Sequence, residues 1–424
     1  RRPPAVAPTS LALLVLLTGA ACTDDATAPS TTAVATSSTS TTIRPDDGVF
    51  LIGLVVPTVG TGAEIGASLD NGVALAAQEI NVAGGVNGQR VQIVRREEGD
   101  NPATAQLAMQ DLVQLGVDVI VGPTSSANVL GSLQLAVDNN VLTCSPTATA
   151  LALDAFPDQG VFLRSIPSDT LQAEAIAAMV EESGTEAAAV VYLDDPYGRP
   201  LAAAVQTALA RQGTTVAVAV GFNPAGDSLE AAVAQVTTAD ADTVVVVADA
   251  TAGPLVITAI DDATSGARPT FVVNDAIRRP AASAEPFRRA LAARIIGVSP
   301  LAYADDDTFH QALMTLDPTA SGLYAHNAYD CVNLAALAAE AAASTRAGAV
   351  AAAVVGVSSG GTGCRTFAAC AEALRAQRNI DYDGPSGTLA IDPDGDPSAA
   401  VFERFGFDES GRDVGQGTLI VGDD

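Results

Sequence analysis

Hydroxyl-bearing residues follow two of the apolar runs in this chain, and acids follow three others. Residues 122–128 (GPTSSAN) come directly after DVIV, and residues 144–150 (CSPTATA) end the next such run. Ser125 or Ser126 suits the N-cap of the helix expected after DVIV. The unpaired N–H groups of that helix's first turn, joined by a hydroxyl, make an anion site suited to a carboxylate. Plain N-capping would explain the Ser-Ser pair equally well. Thr147 and Thr149 add a hydroxyl and backbone groups from the neighbouring loop. In the second half the matching positions are LDDPYG with Tyr197, VADA with Asp249 and VVNDA with Asp275. Each acid alone would also serve as an N-cap. Hydroxyls and helix amides on one side and carboxylates on the other define a dipolar cleft, and a zwitterion such as an α-amino acid has the matching polarity.

Signs of catalysis are missing. There is no GxSxG elbow, HExxH pair, P-loop or CxxC, and the glycine-rich AGGVNG (83–88) follows a helix where a dinucleotide fingerprint follows a strand. His310 and His326 lie far in sequence from the strand ends, so ordinary packing or surface roles are expected for both. No cofactor and no metal site is implied, and the chain is read as something other than an enzyme.

Strands separated by single helices must position these loops. FLIGLVV (50–56) is a continuous apolar run of the kind buried on both faces of a sheet. Ile65, Leu69, Val73, Ala76 and Ile80 then recur at helical spacing. The alternation continues through strands at 91–96, 118–121 and 141–144, with helices at 102–115 and 127–138. From residue 161 it starts again, with strands at 188–193, 215–220, 243–248 and 271–273. Two such units of about 120 residues predict two parallel-sheet lobes and not one very wide sheet. Beyond 296 come further βα-like segments, an alanine-rich helix near 328–343 and a polar, turn-rich stretch at 381–387. A two-lobed α/β protein holds its ligand between the lobes, at the carboxyl ends of the strands.

Arg1 and Arg2, the run LALLVLL (11–17) and small residues up to Cys22 have the order of a secretory signal, expected over residues 1–21. Residues 22–46 are rich in Ser, Thr, Ala and Pro and read as a flexible stalk. All 21 basic residues are arginine, and 49 acids leave a net charge of −28, which excludes the basic footprint of a nucleic-acid binder. A solvated acidic surface explains that charge, with adaptation to high salt as the alternative. Four cysteines remain beyond Cys22, and an even number fits an oxidising compartment. Cys364 and Cys370 are close enough to staple a small loop. Cys144 and Cys331 are read either as a pair or as buried thiols.

Several segments, in their order, resemble the branched-chain amino acid binding proteins of ATP-driven importers, which have the type I periplasmic binding protein fold. They are GVALAAQEINVAGGVNGQRV, VDVIVGPTSS, CSPTAT, VFLRSIPSD, VVYLDDPYGRPLA and DYDGPSGTLAIDPDGD. The resemblance implies two doubly wound lobes joined by a three-segment hinge: 47–167 with 297–386, and 168–296 with 387–424. It implies that Ser126 binds a ligand carboxylate, helped by Thr147 through its backbone and by Thr149. It assigns Tyr197 to the cleft and Asp275 to the ligand ammonium, where the family usually has glutamate. Ile65 stands where an aromatic usually closes over the ligand, and Asp249 or Ala250 where a further tyrosine is usual. Cys22 follows a sequence similar to a lipobox, with Gly19 in place of the usual leucine, which implies a lipid anchor on the outer face of the membrane. The implied partners are permease and ATPase subunits, and the implied state is a monomer. An amide or urea as ligand, and a sensory role without transport, stay open.

Overall fold

The computed structural model describes residues 49–278, 286–304 and 306–422. The expected leader, Cys22 and the stalk lie outside the described residues. The first unit runs β1 (Val49–Val56), α1 (Ala63–Val82), β2 (Arg90–Glu97), α2 (Pro102–Leu115), β3 (Val119–Val121), α3 (Ser126–Asn139), β4 (Leu142–Ser145) and β5 (Phe162–Arg164). Its five strands are parallel, in the order β2-β1-β3-β4-β5. Apolar β1 lies inside the sheet, with Ile52 opposite Ile93 on one side and Val119 on the other. Local signals set the helix ends. Asn101 caps α2 by accepting from the Ala103 and Thr104 N–H groups, and Pro102 occupies its first turn.

The second unit runs α4 (Asp169–Glu182), β6 (Ala187–Leu193), α5 (Gly198–Gln212), β7 (Thr215–Phe222), α6 (Ser228–Ala239), β8 (Thr243–Val247), α7 (Ala252–Ala263), β9 (Thr270–Val273), α8 (Arg289–Ala292) and β10 (Ile295–Pro300). The chain then returns to the first unit with α9 (Asp307–Leu316), α10 (Ala325–Ala342), α11 (Ala347–Val357), β11 (Thr362–Cys364), α12 (Phe367–Arg375) and β12 (Ile380–Tyr382). It ends in β13 (Ala399–Phe407) and β14 (Asp413–Gly422), which complete a second sheet ordered β14-β13-β10-β9-β8-β6-β7. Its first five strands in sequence are parallel, and β13 and β14 are antiparallel additions at one edge. The expectation of two parallel-sheet α/β lobes with flanking helices is therefore met.

The closing hairpin adds to that expectation. In β13, AAVFERFGF places Phe402 and Phe405 in the core, while much of β14 is exposed, with three glycines. Such an edge strand carries little hydrophobic periodicity, which is why the sequence signal is weak. In the middle of the sheet the signal is strong, because Val244–Val247 of β8 are all buried. Each such valine contributes about 1.5–3 kcal/mol relative to exposure.

Both cysteine pairs are disulfides. Cys364–Cys370 closes the small loop expected for it, and Cys144–Cys331 resolves the open alternative in favour of pairing, across 187 residues. In the chain-entropy view the long closure is worth on the order of 5 kcal/mol and the short one about 2–3 kcal/mol. Cys144–Cys331 fastens α10 to the end of β4.

The chain passes between the sheets at residues 165–168, again after β10, and a third time between β12 and β13. Arg164, fully buried just before the first passage, donates to Asp396 on the third at 2.6 Å and 2.7 Å and also pairs with Asp154. Replacing Arg164 by methionine leaves Asp396 buried without its partner. The expected loss is about 3–5 kcal/mol of unfolding free energy, read from the urea midpoint at constant slope.

Candidate functional site

The loop after β3 is built around a buried acid. Glu98, just beyond β2, accepts from the Thr124 N–H at 2.9 Å, the Thr124 hydroxyl at 2.7 Å, the Ser125 N–H at 3.3 Å and Asn128 Nδ2 at 2.7 Å. Gly122 makes the turn possible. Its φ is +98°, and a Cβ there would collide with the Val55 carbonyl. Ser125 is the N-cap of α3, its hydroxyl accepting from the Asn128 N–H at 3.2 Å.

The anion site read from the sequence is therefore narrower than expected, since Glu98 already holds two of the loop's N–H groups. Ser126 and Ala127, next in the turn, have no acceptor for their N–H groups among the described residues. Ser126 Oγ accepts from the Ala150 N–H at 3.2 Å, which leaves its own proton free to donate. Thr147 donates its hydroxyl to the Thr124 carbonyl at 2.8 Å, joining the two loops.

Thr149 links these loops to the second unit. Its carbonyl accepts from the Asp169 N–H at 2.8 Å, and its hydroxyl lies beside the Asp169 carboxyl. Asp169 opens α4 and is buried. Burial, and then the charge of Asp275, push its pKa up to about 7, against the opposing pull of the Thr149 hydroxyl and Arg164. Asp275, in the turn after β9, accepts from Gln172 Nε2 at 2.7 Å. Burial raises its pKa as well, opposed first by the Gln172 hydrogen bond. The Tyr197 hydroxyl accepts from Asn274 Nδ2 at 2.8 Å. Burial followed by the charges of Asp275 and Asp169 holds its pKa well above the phenol range. Tyr324, at the start of α10 with φ +55°, is pushed up to about 12 by burial and then by Asp275. The Asp275 turn is anchored through Arg278, which donates to Glu403 and to Asp413 of the closing hairpin, each at 2.6 Å.

Ser126, Thr147, Thr149, Asp275 and Tyr197 thus belong to one connected set, with Ser125 at its edge as a helix cap. Asp249 stands apart: it is exposed and accepts from the Thr251 and Ala252 N–H groups at 2.7 Å and 2.6 Å, so it acts as a cap for α7. Ile65 makes apolar contacts against the first core and no hydrogen bond to the set. Asp169, Gln172, Glu98, Asn274 and Tyr324 escaped the sequence reading. Glu98 and Asn274 do stand at strand ends, the signal that found the others. Asp169 was visible only as a residue of SIPSD, where an acid in a first helical turn looks ordinary. No group of three or more metal-ligating side chains occurs among the described residues.

Two parallel-sheet α/β lobes joined by three chain passages are the architecture of the type I periplasmic binding proteins. The family profile described as periplasmic binding protein matches residues 50–402, and the chain belongs to that family. The family is non-catalytic, in agreement with the reading of the chain as something other than an enzyme. Among curated relatives, the Leu/Ile/Val-binding protein BraC3 of Rhizobium johnstonii is 29% identical over 194 residues, 46% of this chain and 53% of the relative. The leucine-, isoleucine-, valine-, threonine- and alanine-binding protein of Pseudomonas aeruginosa is 30% identical over 177 residues, 42% of this chain and 47% of the relative. The chain spans about half the length of these curated relatives in the matched region. An ABC transporter substrate-binding protein from Desulfitobacterium hafniense, solved with Leu, shares the fold at TM-score 0.67 and 20% identity, covering 87% of this chain and 99% of that one. A substrate-binding protein of Streptococcus pneumoniae, solved with isoleucine, does so at TM-score 0.62 and 18% identity, covering 88% and 100%.

The raised Asp169 pKa is directly measurable. A carbon-detected NMR titration of the side-chain carboxyls is expected to place its midpoint near 7, and Asp275→Asn is expected to lower it by removing a neighbouring negative charge. A midpoint in the ordinary range below about 5 would break the proposed coupling.

Proposed function

We propose that the chain is the extracytoplasmic substrate-binding component of an ATP-driven importer, capturing an amino acid between its lobes and delivering it to a membrane permease. What supports this reading is the presence of free N–H groups at Ser126 and Ala127 with the Ser126 hydroxyl at one strand end, and of the buried acids Asp169 and Asp275 in the second unit. A carboxylate fits the first and an ammonium the second. Two buried carboxyls, with Asp275 raising the pKa of Asp169, are relieved by an arriving cation, so the acidic wall favours a ligand bearing positive charge. Leu/Ile/Val-binding relatives support a branched-chain side chain. Ile65 in place of a ring and Asp275 in place of glutamate alter the shape of the pocket, and point to a ligand that need not be leucine.

Export fits the two disulfides and the family. We propose further that Cys22 is lipidated. The mass of the mature N-terminus tests this, a diacylglycerol-modified Cys22 being expected and an unmodified start elsewhere refuting it.

Calorimetry against the twenty amino acids and simple amides tests the reading as a whole. With the ligand so found, Asp275→Asn is expected to weaken binding about ten- to a hundredfold, the equivalent of a hydrogen bond to a charged group, and to leave the fold intact. Ser126→Ala is expected to cost less, because the helix amides remain. Unchanged affinity in the Asp275 variant would remove that residue from the site, and saturable binding to none of the compounds would remove the amino acid reading.

A further inference from the structure

The three passages between the sheets meet around a small internal cavity of about 10 Å³. Ser165 and Ile166 reach it from the first passage, Leu301 from the second and Ser386 from the third, while His326 and Asn327 of α10 close it. The two α10 residues are 1% and 3% exposed. His326 Nδ1 and Asn327 Oδ1 have no hydrogen-bond partner.

Both of these atoms are acceptors. Asn327 Nδ2 donates to the Ser165 carbonyl at 2.7 Å, and the Ser165 hydroxyl donates back to the Asn327 carbonyl at 2.8 Å, so the amide's orientation is fixed with Oδ1 left over. The Leu301 carbonyl lies beside the imidazole and draws its single proton to Nε2, which leaves Nδ1 as a bare lone pair. Burial lowers the His326 pKa to about 4, so the ring is neutral through the physiological range. Two acceptors cannot satisfy each other, and a buried polar atom without a partner costs about 1–3 kcal/mol.

We propose that this cavity binds one water molecule, which donates one hydrogen to His326 Nδ1 and the other to Asn327 Oδ1. The volume is about that of a single water-sized probe, and the site offers the two to four polar partners a buried water requires. A water re-pairs as its neighbours shift by a fraction of an ångström, which a direct bond does not do, so the site suits the point about which two lobes turn.

Two measurements on the full folded domain test the proposal. A high-resolution crystal structure is expected to show one well-occupied water within hydrogen-bond distance of His326 Nδ1 and Asn327 Oδ1. An empty cavity, or a direct contact between those two atoms, overturns it. Nitrogen-15 imidazole spectra are expected to show His326 as the neutral Nε2–H tautomer at pH 7, and an Nδ1–H tautomer overturns it, since that ring would donate to Asn327 itself. In Asn327→Leu the water density is expected to be lost while the Nε2–H tautomer persists. Failure of that variant to fold leaves the two wild-type measurements decisive.

Discussion

A single buried guanidinium organises the junction of the two lobes. Arg164 ends the last strand of the first sheet, and its donors reach three segments of the junction. Asp396 lies on the third passage, Asp154 in the loop beyond the first-lobe site, and the Ala148 and Ala150 carbonyls at 3.3 Å and 3.4 Å in the loop that carries Thr147 and Thr149. Asp154 in turn accepts from the Ser168 and Thr170 hydroxyls at the start of α4. Only arginine offers a planar fork able to reach these partners together. The loop carrying Thr147 and Thr149, the first passage and the third passage are therefore set by one residue. Its burial is tolerable because two carboxylates share the cost of removing its charge from water.

The electrostatics of the cleft have the opposite character. Besides burial, Asp275 raises the pKa of Asp169, and both acids raise that of Tyr197. The arginines nearest this wall are already engaged, Arg164 with Asp396 and Asp154, and Arg278 with Glu403 and Asp413. Structural charges are neutralised internally, and Asp169 and Asp275 are left without a cationic partner of their own. On the first lobe Glu98 accepts from the outer N–H groups of the α3 loop, and those of Ser126 and Ala127 remain without an acceptor among the described residues.

The framework was legible because buried parallel strands and their helices leave strong periodic signals: α2 begins and ends at Pro102 and Leu115 as its cap and spacing indicate, and β8 is a run of valines. Strand-end hydroxyls and acids were legible because loops after parallel strands follow the strongest periodic segments of the sequence. Asp249 shows the limit of that rule, since an acid after a strand is equally suited to capping and here does so. Asp169 shows the converse. It lies at the start of a helix after a passage between lobes, and only the three-dimensional path carries it to Thr149 and Asp275. The pairing of Cys144 with Cys331, 187 residues apart, was likewise beyond any local signal.

Helix α10 explains how these distant segments are held. Its sequence reads as little more than alanine, and small side chains are what its packing demands: Gly72 of α1 lies so near Ala325 that a Cβ there would strike the backbone. Close approach buries α10 almost entirely, and its few polar residues then have no solvent to turn to. Three of them reach separate segments of the chain. Asn327 takes Ser165 on the first passage, and Asp330 accepts from the Tyr382 hydroxyl at 2.6 Å and the Ser386 N–H at 2.8 Å on the third. Cys331 is bonded to Cys144 beside the loop carrying Thr147 and Thr149. Asp330 is held at a pKa of about 7 by burial, with the Ser386 and Tyr382 bonds pulling the other way, so its cost is only partly offset. A helix of alanines with three polar anchors one turn or less apart is thus the element against which both passages and that loop are registered. That arrangement requires the polar residues to be few, since each additional one would need its own buried partner.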